Sequence, residues 1–175
     1  MGRLNLNLDN MKKLILILSL MICHVSLSMA QSVTRTQHRT AITQDAVTTG
    51  SMTIRKPDYI CISTNSDKEQ LIMEGTKFTM TMGGKKHVTD SRKNPQFATF
   101  HKVLKAVINN QPIPGGSDVV VTTKNQQKTI SITPEGKKKR QLFSSFELVI
   151  DEHSSAIRQL RMNQKGGNYI HYEVR

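Results

Sequence analysis

From residue 51 onward the apolar residues fall on alternate positions: Met52 and Ile54, then, past Pro57, Ile60 and Ile62. Alternation turns one face of a strand toward a core or a cavity. A polar turn, Asn65-Ser66-Asp67, leads into Leu71-Ile72-Met73. Glu74-Gly75-Thr76 then sends the chain back through Phe78, Met80 and Met82, with Lys77, Thr79 and Thr81 on the other face. This pair predicts a hairpin that ends at Gly83-Gly84. The period then changes. Asn94 suits an N-cap and Pro95 a first helical residue, and beyond them Phe97, Phe100, Leu104, Val107 and Ile108 recur at spacings of three and four. Asn109-Asn110, Pro112, Pro114 and Gly115-Gly116 end this helix and open a loop.

The strand signal returns over residues 118–123 and 128–133, separated by a turn at Lys124-Asn125-Gln126-Gln127, and Pro134-Glu135-Gly136 predicts another turn. Phe146, Leu148 and Ile150 alternate, a polar turn covers residues 151–155, residues 157–162 run back, and Gly166-Gly167 precedes Ile170, Tyr172 and Val174. Seven or eight short strands at this spacing predict an antiparallel barrel or sandwich carrying one conspicuous helix. No internal repeat breaks the pattern.

The start of the chain follows another logic. Lys12 and Lys13 precede an apolar stretch, residues 14–25, interrupted at Ser19 and His24, and Ser28-Met29-Ala30 forms a small-x-small site. This reads as a secretory signal over residues 1–30 cut after Ala30, with translation beginning at Met1 or Met11. The apolar run to Ala30 spans 17 residues, short of the ~20 that a spanning helix needs, so no integral span is expected after cleavage. Residues 31–175 are then a single domain. Ile22 is larger than the small residue a lipidation site wants before Cys23, which argues against a lipid-modified cysteine.

Charge narrows the partners. The 175 residues carry 25 Lys+Arg against 13 Asp+Glu, and the exported part keeps 22 basic and 12 acidic residues. Lys85-Lys86 and Lys137-Lys138-Lys139-Arg140 form basic clusters that attract anions. With an export leader, no Trp, and no interleaving of aromatic with basic residues, nucleic acid is not the expected partner. Cys61, the one cysteine outside the leader, lies between Ile60 and Ile62 and is expected to be buried.

Catalytic and metal chemistry finds little support. His38, His87, His101, His153 and His171 share no zinc-site spacing. Asp151-Glu152-His153 falls in a predicted turn, where such groups are ordinarily solvated. There is no G-x-S-x-G elbow, and Gly83-Gly84-Lys85-Lys86 lacks both the upstream glycine and the following hydroxyl of a phosphate loop. The expectation is a non-enzymatic protein without metal or cofactor. Its more distinctive feature is five methionines in the exported part, of which Met52, Met80 and Met82 share strand faces with Ile54 and Phe78. Methionine is unbranched and adapts to apolar groups of varied shape; an ordinary core would also use it.

Taken in order, Gly50-Ser51-Met52-Thr53-Ile54-Arg55-Lys56-Pro57-Asp58-Tyr59, then Glu69-Gln70-Leu71-Ile72-Met73-Glu74-Gly75, then Asn94-Pro95 with its helix, residues 128–134 and residues 146–160 resemble the LolA-type outer-membrane lipoprotein carriers. The similarity covers about residues 50–174. It implies a β-rich α+β fold: an incomplete, curved antiparallel β-barrel whose apolar concave face lies under short helices acting as a lid. It also implies a periplasmic shuttle, a monomer, that takes lipoproteins from an inner-membrane release complex, shelters their acyl chains and delivers them to an outer-membrane acceptor. By position, Met52, Ile54, Ile60, Ile62, Phe78, Met80 and Met82 would line the cavity and Phe97, Phe100 and Leu104 would face it from the lid.

Two departures qualify the resemblance. Where many relatives have an arginine before the proline, bonded to lid backbone, this chain has Lys56 beside Arg55, a point charge in place of a planar fork, which implies a looser or differently organised lid. Residues 31–49 show no amphipathic helix, and the family's closing strand after Tyr172 is not evident, which implies either a more open barrel or a shortened chain. The rival expectation is an envelope module that binds an anionic glycan or lipid headgroup through Lys85, Lys86 and residues 137–140.

Overall fold

A computed structural model of the chain describes residues 30–134 and 142–175. Residues 1–29 of the expected leader and the basic cluster at residues 137–140 lie outside the described residues, as do residues 135 and 136 of the expected turn. Eleven strands form one sheet: β1 (Gln31–His38), β2 (Ala46–Arg55), β3 (Tyr59–Thr64), β4 (Glu69–Glu74), β5 (Lys77–Met82), β6 (Lys85–Asp90), β7 (Val119–Lys124), β8 (Gln127–Ile132), β9 (Phe143–Asp151), β10 (Ile157–Gln164) and β11 (Tyr169–Val174). One α-helix, α1 (Pro95–Ile108), lies between β6 and β7.

The order across the sheet is β6-β5-β4-β3-β2-β1-β11-β10-β9-β8-β7, and neighbouring strands pair antiparallel. It is therefore two meanders joined where β1 meets β11, with Val33 opposite Val174 and Arg35 opposite Tyr172. The sheet does not close: β6 and β7 are its two edges. A twisted sheet of this many strands curls, and α1, connecting one edge strand to the other, crosses the concave side. Its fourteen residues reach about 21 Å at ~1.5 Å each.

Period-two burial sorts the faces. Ile60, Ile62 and Thr64 of β3 are buried, as are Leu71 and Met73 of β4 and Leu148 and Ile150 of β9, with half-buried or exposed residues between most of them. In register, Met52, Ile62, Leu71 and Met80 sit side by side across four strands, and Ile60, Met73 and Phe78 form the next row. The apolar stripe of α1, Phe97, Phe100, Val103, Leu104 and Val107, packs into the same cluster. The helix starts as its sequence dictates, with the Asn94 side chain accepting from the Gln96 amide at 3.1 Å.

Several expectations need correction. Residues 31–49, for which no strand was expected, hold β1 and the first part of β2. Gly50 lies inside β2 and does not lead it. A Cβ there would stand 1.8 Å from the Ser63 carbonyl oxygen, so the close approach of β2 to β3 admits only glycine at this position. Gly83-Gly84 does end the β4–β5 hairpin, and with φ of 56° and 74° it also turns β5 into β6, a strand the pattern did not predict. Among the described residues the strands number eleven, not seven or eight, and one α-helix, rather than several short ones, covers the face. Cys61 is half-buried, because it falls on the alternate face of β3 from Ile60 and Ile62.

Candidate functional site

The concave face and the helix over it form the candidate site. Met52, Ile60, Ile62, Phe78, Phe97, Phe100 and Leu104 meet there in one buried cluster, and Ile54, Met80 and Met82 are partly buried at its margin. Lys56 is exposed in the turn before Pro57. Leu71, Met73, Phe143 and Phe146 belong to the same face and complete it. Aromatic contacts join lid to sheet: Phe100 stacks on Phe146 at 4.4 Å and 11°, Phe97 on Phe78 at 5.1 Å, and Phe97 meets Phe143 edge-on at 6.0 Å. Stacked and edge-to-face geometry adds to the simple burial of these rings.

Polar ties fasten the lid at both ends. At its C-terminal end the Asn109 amide donates to the Pro57 carbonyl at 2.6 Å and to the Lys105 carbonyl at 2.7 Å, and Lys105 Nζ lies 3.8 Å from Asp58. These contacts reach the turn that carries Lys56. Near the N-terminal end Asn94 donates to Thr89, Gln96 accepts from the Leu142 amide at 2.8 Å, and Thr99 donates to Asp118. His101 lies between lid and sheet with its Nε2 buried and without a hydrogen-bond partner. Burial, helped by the Lys105 charge, lowers its pKa from the ordinary histidine value.

Beside the N-terminal half of α1 the face is open. A cleft of about 380 Å³ runs between the helix and β5–β6, floored by Leu71, Phe78, Met80, Phe97 and Phe143 and rimmed by His87, Val88, Thr89, Asn94, Gln96 and Leu142. That volume lies within the range of ligand-binding clefts, as does the pairing of an apolar floor with a few polar rim groups.

Deep in the sheet sits a polar cluster that pattern reading missed. Arg35 of β1 is only 1% exposed. It donates to Glu69 at 3.1 Å and to Gln37 at 3.0 Å, and Thr48 and Thr64 donate to the same Glu69 oxygen at 3.5 and 3.4 Å. Burial raises the pKa of Tyr172 beside it, against the lowering influence of the Arg35 charge. The signal was present in the alternation of Val33, Arg35 and Gln37, but a charged residue in the middle position hides a strand from a hydrophobic pattern.

The remaining candidate chemistry has structural employment. Asp151 accepts from the His153 and Ser154 amides and the Ser154 hydroxyl, and the Ser154 bonds hold its carboxyl at a pKa of about 2. Glu152 lies 3.7 Å from Lys128. Among the described residues no group of three His, Cys, Asp or Glu could hold a metal, and no helix is long and apolar enough to cross a membrane.

The family model described as the outer membrane lipoprotein carrier protein LolA matches residues 25–175. Among solved structures, a LolA superfamily protein from Nitrosomonas europaea is 7% identical, with 85% of this chain and 84% of that chain covered and a TM-score of 0.33. LprF from Mycobacterium bovis is also 7% identical, with 85% of each chain covered and a TM-score of 0.34. No curated protein matches the sequence.

Proposed function

Because the chain belongs to the LolA family of outer membrane lipoprotein carriers, we propose that it is a periplasmic carrier that buries lipoprotein acyl chains against its concave face and moves them from the inner to the outer membrane. Residues 1–30 are its export signal, and residues 31–175 are the working domain. It acts by reversible burial, with no covalent step, receiving cargo from an inner-membrane release complex and passing it to an outer-membrane acceptor. Met52, Ile54, Ile60, Ile62, Phe78, Met80 and Met82 form the acyl-binding floor, and Phe97, Phe100 and Leu104 are the lid surface that cargo displaces. Lys56 serves the lid from the turn that binds Asn109 and Lys105.

The observation that carries this reading is a continuous apolar face covered by one amphipathic helix, with an open cleft beside it. The energies of exchange match. Six large apolar side chains of α1 are buried, Phe97, Phe100, Val103, Leu104, Val107 and Ile108, and at roughly 1.5–3 kcal/mol each their docking is worth on the order of 9–18 kcal/mol. A sixteen-carbon chain sheltered at about 0.8 kcal/mol per methylene recovers about 12 kcal/mol. Cargo can therefore replace the helix on the face at little net cost.

The test is displacement of an apolar fluorescent dye from the purified protein by a triacylated lipopeptide. Met80→Asp, which sets a charge on the cleft floor, is expected to abolish both dye and lipopeptide binding while the protein stays folded. Unchanged binding in Met80→Asp, or no displacement in the native chain, would remove the basis for the proposal.

A further inference from the structure

The open cleft differs from the covered remainder of the face in size and in charge. Its volume of about 380 Å³ is room for about twelve methylene-sized groups, taking each as roughly the ~30 Å³ share of a water molecule. Its far wall is β6, whose inward row is Lys85, His87 and Thr89, opposite Met82, Met80 and Phe78. His87 and Thr89 line the rim, and Lys85 is one step further along the same row. Lys86, opposite Thr81, belongs to the other face of the sheet, and Lys85 has no ion-pair partner among the described residues. The acidic residue of this strand, Asp90, is engaged with Arg92 at 2.6 Å. A hydrocarbon slot is thus bordered at its outer strand by uncompensated positive charge.

We propose that this cleft, with the lid closed, is a binding site for one single-chain anionic amphiphile, with the acyl chain on Leu71, Phe78, Met80, Phe97 and Phe143 and a carboxylate or phosphate head over Lys85 and His87. The proposal rests on the reading that this face accepts acyl chains, and it names a second ligand class for it: a free fatty acid or a lysophospholipid, held without lifting α1. Charge complementarity selects an anionic head over a zwitterionic one, and volume selects one chain over three.

Calorimetry and native mass spectrometry on the purified protein test this, with saturated fatty acids of eight to sixteen carbons, lysophosphatidylglycerol, lysophosphatidylcholine and a triacylated lipopeptide as probes, each below its micellar concentration. The expected result is one bound chain, affinity that rises about fourfold per methylene and levels off near twelve carbons, and about fivefold preference for the anionic lysolipid. The substitution Lys85→Glu, at the exposed edge, removes that preference. Affinity that climbs steadily to sixteen carbons, more than one bound chain, equal binding of the two lysolipids, or indifference to the charge reversal overturns the proposal. Lipopeptide binding without any lysolipid or fatty acid binding overturns it too, while leaving the carrier reading in place. Lysolipid binding that meets these expectations without lipopeptide binding upholds it and removes the carrier reading.

Discussion

Replacing Phe100 by Ala separates a removable lid from a permanent core. Phe100 is 1% exposed and lies flat on Phe146 at 4.4 Å. Truncating such a ring costs about 3–5 kcal/mol of stability, or about 10 °C in melting temperature for a domain of this size. All of that contact exists only while α1 is docked. If cargo binds after the helix lifts, Phe100→Ala favours the open form by the same energy, and at 3 kcal/mol the open population rises by roughly a hundredfold. Apparent affinity scales with that population, so lipopeptide is expected to bind at least tenfold more tightly to a protein that melts at a lower temperature. Thermal unfolding and dye displacement on the same preparation read both quantities. Reduced stability with unchanged or weakened lipopeptide affinity would mean that the helix is ordinary core, and the exchange argument would fail.

Two further outcomes follow from groups buried in the sheet and under the lid. Glu69→Gln leaves the Arg35 guanidinium buried without its counter-charge and is expected to cost about 3–5 kcal/mol in denaturant unfolding; the double change Arg35→Met with Glu69→Gln recovers most of that loss, whereas equal loss in both would show that the pair contributes nothing specific. His101 and His171 both have buried Nε2 atoms without hydrogen-bond partners and pKa values lowered from 6.5, chiefly by burial. The unfolded chain therefore takes up protons first, so stability is intact above pH 7 and falls as pH drops through about 6.5; His101→Gln should flatten part of that fall, and an unchanged pH profile of unfolding would contradict the assignment.

What was legible in the sequence was whatever is buried on one side. The β3–β4–β5 meander announced itself because Ile60, Ile62, Leu71, Met73, Phe78 and Met80 alternate, and α1 because Asn94 caps a stripe spaced at three and four. Turns were visible where backbone demands are strict, as at Asn65-Ser66-Asp67, all with positive φ. β6 was invisible because Lys85, Lys86 and His87 are the residues of an exposed edge, where charge guards against further strand pairing. β1 was hidden by Arg35, whose burial depends on Glu69, 34 residues away and three strands across the sheet. The same limits apply to the site. Its apolar floor could be read from periodicity, while the lid ties from Asn109 to Pro57 and from Lys105 to Asp58 are tertiary contacts with no local signature.

If the protein carries acyl chains as proposed, α1 moves when cargo arrives. Spin labels at Lys102→Cys, exposed on the helix, and Glu74→Cys, exposed at the end of β4, in a background with Cys61→Ser, measure that movement by electron–electron distance. Addition of triacylated lipopeptide is predicted to lengthen and broaden the distance distribution. Full lipopeptide occupancy with a distribution identical to that of the free protein would contradict the account.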